Sequence, residues 1–208
     1  MKQAVIVGLG VQGQKRIKFL GTKKYITVDP YKKSNYKNLK DVPLELYDKV
    51  FLCVPDQKKL KLIEYCIEKG KHCLIEKPFP SVENKKILEL EKKANKKKIA
   101  CYVAYNHRFE PHFERLKEIL DKNKIDKVYY CRMFYGNGTS KLVNKSEWRD
   151  KDNGVVGDIG SHLFDLCKFW FKISTTKINY FKSYKFENKA ADHAQIIFND
   201  KKINFVLE

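Results

Sequence analysis

Apolar runs and helical stripes alternate along the first half of the chain. Gln3–Val7 is a short apolar run that ends at Gly8, and Tyr25–Val28, Lys49–Val54, His72–Ile75 and Ile99–Ala104 repeat the pattern. Runs of this length, bounded by Gly or Pro, predict short buried strands. Between them, Val11–Leu20, Leu60–Lys69 and Val82–Lys97 carry apolar residues at helical spacing; in the second, Leu60, Ile63, Cys66 and Ile67 share one side. Residues 31–47 give only a weak pattern. Strand and helix in alternation predict a parallel sheet covered on both faces.

The pattern changes near Tyr105. Phe113–Lys122 reads as a helix and Lys127–Phe134 as a long alternating strand, followed by a loop holding Gly136, Gly138 and Gly154. Ser161–Phe171 is a predicted helix with Leu163, Leu166, Cys167 and Trp170 on its apolar side. Lys177–Tyr184, Ala194–Phe198 and Ile203–Leu207 read as strands, an α+β arrangement with an antiparallel-leaning sheet. Two domains are therefore expected, residues 1–104 and residues 105–208. The last strand pattern runs to Leu207-Glu208, so the sheet is expected to be incomplete and the chain to be a C-terminally truncated piece of a longer protein.

Composition narrows the class. Of 208 residues, 43% are hydrophobic, enough for packed cores, and no apolar run reaches the length of a membrane span. The N-terminus runs straight into a glycine motif without an export signal, which points to the cytoplasm. The six cysteines form no Cys-x-x-Cys pair and sit in apolar runs, so they read as reduced, buried small hydrophobes and not as metal ligands. The net charge of +18 is almost all lysine, with only five arginines. Specific nucleic-acid readers lean on bidentate Arg, so the lysines read as solvated helix faces whose field favours small anionic ligands such as a dinucleotide or nucleotide-sugar. A nucleic-acid partner is not expected.

Gly8-Leu9-Gly10-Val11-Gln12-Gly13 matches G-x-G-x-x-G between a predicted strand and a predicted helix. In that context Gly8 permits the turn, Gly10 lets a pyrophosphate approach the backbone, and Gly13 lets helix and strand pack closely. Asp29 ends the second strand, where a carboxylate accepts from ribose hydroxyls and repels a 2′-phosphate, favouring NAD; Lys32 and Lys33 keep NADP open.

Further along, Glu76-Lys77-Pro78 follows a strand of the parallel sheet, at the end where such sheets place their sites. A lysine there is a natural donor to a substrate oxygen that gains charge. In Gly154–Asp165 the glycines suggest sharp turns, with Ser161 as N-cap of the next helix and His162 in its first turn. The helix dipole would then keep His162 neutral and able to take a proton. Asp158, four residues earlier, would orient it. No further ligand cluster supports a metal at Asp158, His162 and Asp165.

The stretches Gly8–Gly13, Asp48–Pro55, Gly70–Pro78, Tyr105–Pro111 and Gly154–Asp165 together resemble the glucose–fructose oxidoreductase, inositol dehydrogenase and rhizopine-catabolism (Gfo/Idh/MocA) family. The resemblance implies an α/β Rossmann domain followed by an α+β domain with a large, mostly antiparallel open sheet, the latter serving homo-oligomerisation. It implies NAD or NADP as cofactor and reversible oxidation of a sugar, nucleotide-sugar or cyclitol hydroxyl. Lys77, Asp158 and His162 fall on the family's catalytic positions, and Lys77 and His162 are expected to converge on one substrate oxygen. Gly8, Gly10, Val11, Gln12, Gly13, Asp29, Val54, Pro55, Glu76 and Lys77 would meet the cofactor. Asn106, Arg108, Tyr135, Trp148 and Arg149 are candidates for substrate contacts. The run from Tyr135 to Thr139, with Trp148-Arg149-Asp150, looks like members found among cell-surface polysaccharide genes. The alternative from another class is a non-catalytic NAD(H)-binding sensor, which leaves Lys77, Asp158 and His162 as coincidence.

Overall fold

The computed structural model describes residues 2–80, 82–138, 140–145, 150–151, 154–173 and 177–208. The chain divides into two compact units, Met1–Ala104 and Tyr105–Glu208.

In the first unit, β1 (Gln3–Val7), β2 (Tyr25–Val28), β3 (Tyr47–Leu52), β4 (His72–Ile75) and β5 (Cys101–Val103) form one sheet in the order β2-β1-β3-β4-β5. Every neighbouring pair is parallel. Helices α1 (Val11–Leu20), α2 (Asp56–Glu68) and α3 (Asn84–Lys96) make three of the four connections between the strands. Val5, Val50, Leu52, Ile63, Cys66 and Ile75 are buried at the centre, each large side chain contributing about 1.5–3 kcal/mol on burial. The strand order reverses at β1 and β3, and ligands of such sheets bind beyond the strand ends at that reversal.

Residues 31–46, which gave little periodicity, hold two 3₁₀ turns, Leu39–Asp41 and Leu44–Leu46, and one bridge from Tyr36 to Val28. Leu39 and Val42 still enter the core. Buried Lys71 pins this segment to the sheet, its ammonium donating to the Leu44 carbonyl at 2.7 Å and the Tyr47 carbonyl at 2.9 Å. Helix α2 starts at Asp56, a full turn before the apolar stripe that begins at Leu60, because Pro55 sets the turn into it and Asp56 suits the first turn of a helix.

In the second unit a 3₁₀ turn, Asn106–Phe109, leads into α4 (Pro111–Asp121), β6 (Tyr130–Met133) and α5 (Ser140–Asn144). Then come α6 (Ser161–Phe171), β7 (Lys177–Tyr184), β8 (His193–Asp200) and β9 (Ile203–Leu207). The sheet order is β6-β9-β8-β7, with β6 parallel to β9 and the other pairs antiparallel. Leu163 and Cys167 of α6 pack with Ile196, Phe198, Phe205 and Leu207 of the sheet. Trp170 Nε1 donates to the Phe113 carbonyl at 3.1 Å, tying α6 to α4.

One expectation fails here. The glycine-rich stretch before α6 is not a loop, and Ser161 is not an N-cap. Helical backbone begins at Gly154, passes through a π-helical turn at Val156–Gly160, and continues into α6; Ser161 itself has φ −58° and ψ −33°. Gly154 is required because its φ is +47° and a Cβ would lie 2.2 Å from the Ala191 carbonyl oxygen. Val155 N donates to that same carbonyl at 2.8 Å, so tertiary contacts hold a helix start that glycine propensity alone disfavours.

Candidate functional site

The turn after β1 is built by three glycines doing different work. Gly8 has φ +90°, and a Cβ there would sit 2.4 Å from the Cys53 carbonyl oxygen. At Gly13 a Cβ would sit 2.0 Å from the Gly8 carbonyl oxygen, so α1 packs directly on the turn. Gly10 has nothing within 4 Å of its Cβ position. Its backbone is open to an approaching ligand. Helix α1 has no side-chain cap and no acidic residue in its first turn, so its leading N–H groups and dipole are offered outward. This arrangement fits a pyrophosphate. Val11 and Gln12 are exposed beside it, and half-buried Val54 and exposed Pro55 follow β3 across the strand-order reversal.

Asp29 is buried, and part of its carboxylate serves the turn itself. Oδ2 accepts from Leu9 N at 2.8 Å, while Oδ1 accepts from Tyr31 N and Lys32 N, both at 2.9 Å. Burial pushes its pKa up, but these backbone donors and the nearby Lys32 charge more than offset that and hold it below the ordinary carboxylate value. Asp29 therefore stays ionised and shapes the loop that would carry the adenosine end.

Glu76, at the end of β4, is paired with Arg16 of α1; Nε donates to Oε1 at 2.7 Å. This link fixes the end of the strand that Lys77, a half-buried residue, follows. Underneath, Lys59 of α2 is fully buried and its ammonium donates to Asp56 Oδ1 and to the Pro78 carbonyl, both at 2.7 Å. Desolvation lowers the Lys59 pKa, opposed by Asp56. Cys53, at the end of β3, is pushed up to about 12 by burial and by Glu76, and is an inert thiol at neutral pH.

In the second unit His162 is buried, 5% exposed, inside a ring of aromatic groups. Its ring centroid lies 4.6 Å from that of His107, 5.5 Å from Tyr105 and 6.1 Å from Tyr135. Because the helix starts at Gly154, His162 is not in a first turn, and the dipole argument for its neutrality does not apply. Asp158 lies in the π-helical turn and lines a cavity of about 250 Å³ with Tyr135, Val156, Ile159, Leu163 and Ile196. π-turns inside helices recur at functional sites.

Arg108 forks onto Asp165 of α6, with Nε donating to Oδ2 at 2.6 Å and a second bond to Oδ1, and its guanidinium lies over the Phe169 ring. That braces the Asn106–Phe109 turn on α6 and presents His107 to His162. Asn106 is exposed and reaches Glu110 at 3.4 Å. Trp148 and Arg149 lie outside the described residues. Sequence reasoning passed over His107 and Glu110, although their i,i+3 spacing before a proline-started helix was a usable signal; their side chains meet at 2.5 Å. Among the described residues, no group of three or more His, Cys, Asp or Glu is placed to hold a metal ion. No helix there is long and apolar enough to cross a membrane.

Residues 2–105 match the oxidoreductase family with an NAD-binding Rossmann fold, and residues 113–202 match the GFO/IDH/MocA C-terminal domain. The chain belongs to the Gfo/Idh/MocA oxidoreductase family. Members similar to it include the inositol 2-dehydrogenase of Rhizobium meliloti, 25% identical over 59% of this chain and 36% of that protein. An uncharacterised oxidoreductase of Schizosaccharomyces pombe is 30% identical over 61% of this chain and 34% of its own. The matched stretch thus spans about a third of these curated relatives. Among solved structures, scyllo-inositol dehydrogenase from Lactobacillus casei, with bound NAD(H) and scyllo-inositol, superposes with a TM-score of 0.82 at 16% identity. That match covers 100% of this chain and 68% of the other. The WlbA dehydrogenase of Chromobacterium violaceum, in complex with NADH and UDP-GlcNAcA, gives 0.81 at 18% identity over 99% and 66%. At such identities the likeness speaks for the Gfo/Idh/MocA fold alone.

Proposed function

We propose that the whole protein is an NAD-dependent dehydrogenase acting on a hydroxyl-bearing carbon of a sugar, nucleotide-sugar or cyclitol. The observation that carries this reading is chemical economy in one family chain. A glycine turn fits a dinucleotide, a lysine follows β4, and a buried histidine shares one helical run with Asp158.

NAD, when bound, supplies the nicotinamide carbon that accepts hydride. The rest falls to the chain. His162 takes the hydroxyl proton as general base, or returns it in the reverse direction. Lys77 donates to the same oxygen and stabilises negative charge as it develops. Asp158 positions His162 or binds a neighbouring hydroxyl. Asp29 favours NAD over NADP by its negative charge. A nucleotide-sugar used in surface polysaccharide synthesis is the narrower reading. It is supported by the UDP-sugar in the WlbA complex and by the +18 net charge, which attracts anionic substrates. We place the protein in the cytoplasm and its self-association on the open sheet of the second unit.

The test is a screen of the whole protein against inositols, sugar phosphates and UDP-sugars with NAD and NADP, following NADH or NADPH formation. Saturable turnover with one of these classes is expected. Tight NADH binding without turnover on any of them would instead favour a sensor.

A further inference from the structure

Oxidation of an alcohol by NAD⁺ yields a carbonyl, NADH and one proton. If His162 collects that proton, as the proposed function holds, it must pass it to water before the next turnover. His162 is 5% exposed, so direct release is obstructed.

A graded path leads outward from it. The His107 ring packs edge-on against His162 at 4.6 Å, and its side chain is 18% exposed. His107 Nδ1 meets Glu110 Oε1 at 2.5 Å. Glu110, 34% exposed, turns its other oxygen to His112 Nε2 at 3.4 Å, and the His112 side chain is 68% exposed. One carboxylate thus bridges two imidazoles, one on each oxygen. The four groups rise steadily in exposure from the buried histidine to the surface. Among the described residues, groups along this path include Tyr105 and Tyr135, whose rings border His162, and Phe113 beside His107 and His112. Asn106 donates to Glu110 Oε1. The Arg108–Asp165 pair holds the turn bearing His107 against α6.

We propose that His107, Glu110 and His112 form a proton relay that discharges His162 to solvent. A carboxylate partner on Nδ1 selects the tautomer with Nδ1–H, leaving His107 Nε2 as the acceptor. Nε2 receives the proton from His162, directly or through one water, while the Nδ1 proton moves to Glu110. Glu110 hands it to His112 or to bulk water. Each transfer breaks one N–H or O–H bond and makes another, and no electrons move. These are positioning and relay residues; they do not touch the substrate carbon.

The test needs no substrate. In the whole protein labelled with ¹⁵N-histidine, the exchange rate of the His162 ring proton with water is measured by NMR. His107→Phe keeps the ring and removes both nitrogens, and it should slow exchange by roughly 10²-fold, the lower end of what a positioned proton-transfer group contributes. Glu110→Gln keeps the shape and should slow it to a lesser degree. Parental exchange in both variants would overturn the relay, as would slowing in His107→Phe with parental exchange in Glu110→Gln. If His107→Phe fails to fold, Glu110→Gln decides alone. Failure of the dehydrogenase reading shows elsewhere, as NADH binding without turnover on any class of the substrate screen, and failure of His162 as its base shows as undiminished turnover in His162→Asn.

Discussion

The three glycines of the phosphate turn should answer one substitution in three ways. Gly13→Ala brings a methyl to 2.0 Å from the Gly8 carbonyl oxygen, where ordinary contact begins at 3.4 Å. Helix α1 then has to retreat by about 1.4 Å, the difference between those distances. Overpacking against backbone on this scale costs about 3 kcal/mol, the upper end for small-to-large changes. Gly8→Ala meets the Cys53 carbonyl at 2.4 Å and is also forced to φ +90°. Left-handed strain adds about 1–2 kcal/mol to a similar clash, for a total of about 4–5 kcal/mol. Gly10 differs, with φ −72°, ψ −165° and open space around its Cβ position. Gly10→Ala should leave stability unchanged or raise it by up to about 1 kcal/mol through the unfolded state. Its methyl would nevertheless stand where the pyrophosphate approaches. Losing one hydrogen bond to a charged group, about 1.5–3 kcal/mol, weakens NADH binding by about 10- to 100-fold. Urea unfolding and fluorescence titration with NADH measure the two effects separately. The reasoning is refuted if Gly10→Ala destabilises as much as Gly13→Ala, or if it binds NADH with parental affinity.

Three further outcomes follow from the geometry. Asp192 accepts from the backbone N–H groups of Phe186, Glu187 and Asn188, and although burial opposes it these bonds hold its pKa below the ordinary value. Its contribution is therefore full above about pH 4, the unfolded carboxylate value, and is lost as pH falls through the lowered folded one. Asp192→Asn should cost about 1 kcal/mol at neutral pH, and urea melts at acid pH should show the gap to the parent closing; an equal gap at both pH values would count against it. Lys59→Met should destabilise by about 1–3 kcal/mol, because the Pro78 carbonyl loses its buried donor; thermal melts of parent and variant decide this, and an unchanged melt would show that water replaces the ammonium. NAD should bind more tightly than NADP because Asp29 stays ionised beside the turn; calorimetric titration showing the reverse would reassign the preference to Lys32 and Lys33.

Legibility in the sequence tracked how completely each element is buried. Strands β1, β3 and β4 lie inside a parallel sheet, covered on both faces, so their apolar runs stand out. Strand β6 is an edge strand with alternate residues exposed, and only Tyr130–Met133 of the expected Lys127–Phe134 pairs with β9. The segment between β2 and β3 buries Leu39 and Val42 from 3₁₀ turns, which leave no period to read. The glycines at 154–160 misled because composition signals turns, while the helix there is held by Ala191 and by the apolar side of α6. At the site, Gly8, Gly10 and Gly13 were readable because backbone sterics demand glycine or open space there. The contacts of Asp29 with Leu9, of Glu76 with Arg16 and of Arg108 with Asp165 join residues 20, 60 and 57 apart in the chain. No local pattern encodes them.

The central claim is that His162 and Lys77 do the chemistry while the glycine turn holds the cofactor. The most direct measurement compares turnover and NADH affinity in the whole protein, its His162→Asn variant and its Lys77→Met variant, on the substrate found by the screen. The account predicts a loss of roughly 10²–10⁴-fold in turnover for each variant, with NADH affinity close to parental. Near-parental turnover in His162→Asn would contradict it, and the base would then have to be another group.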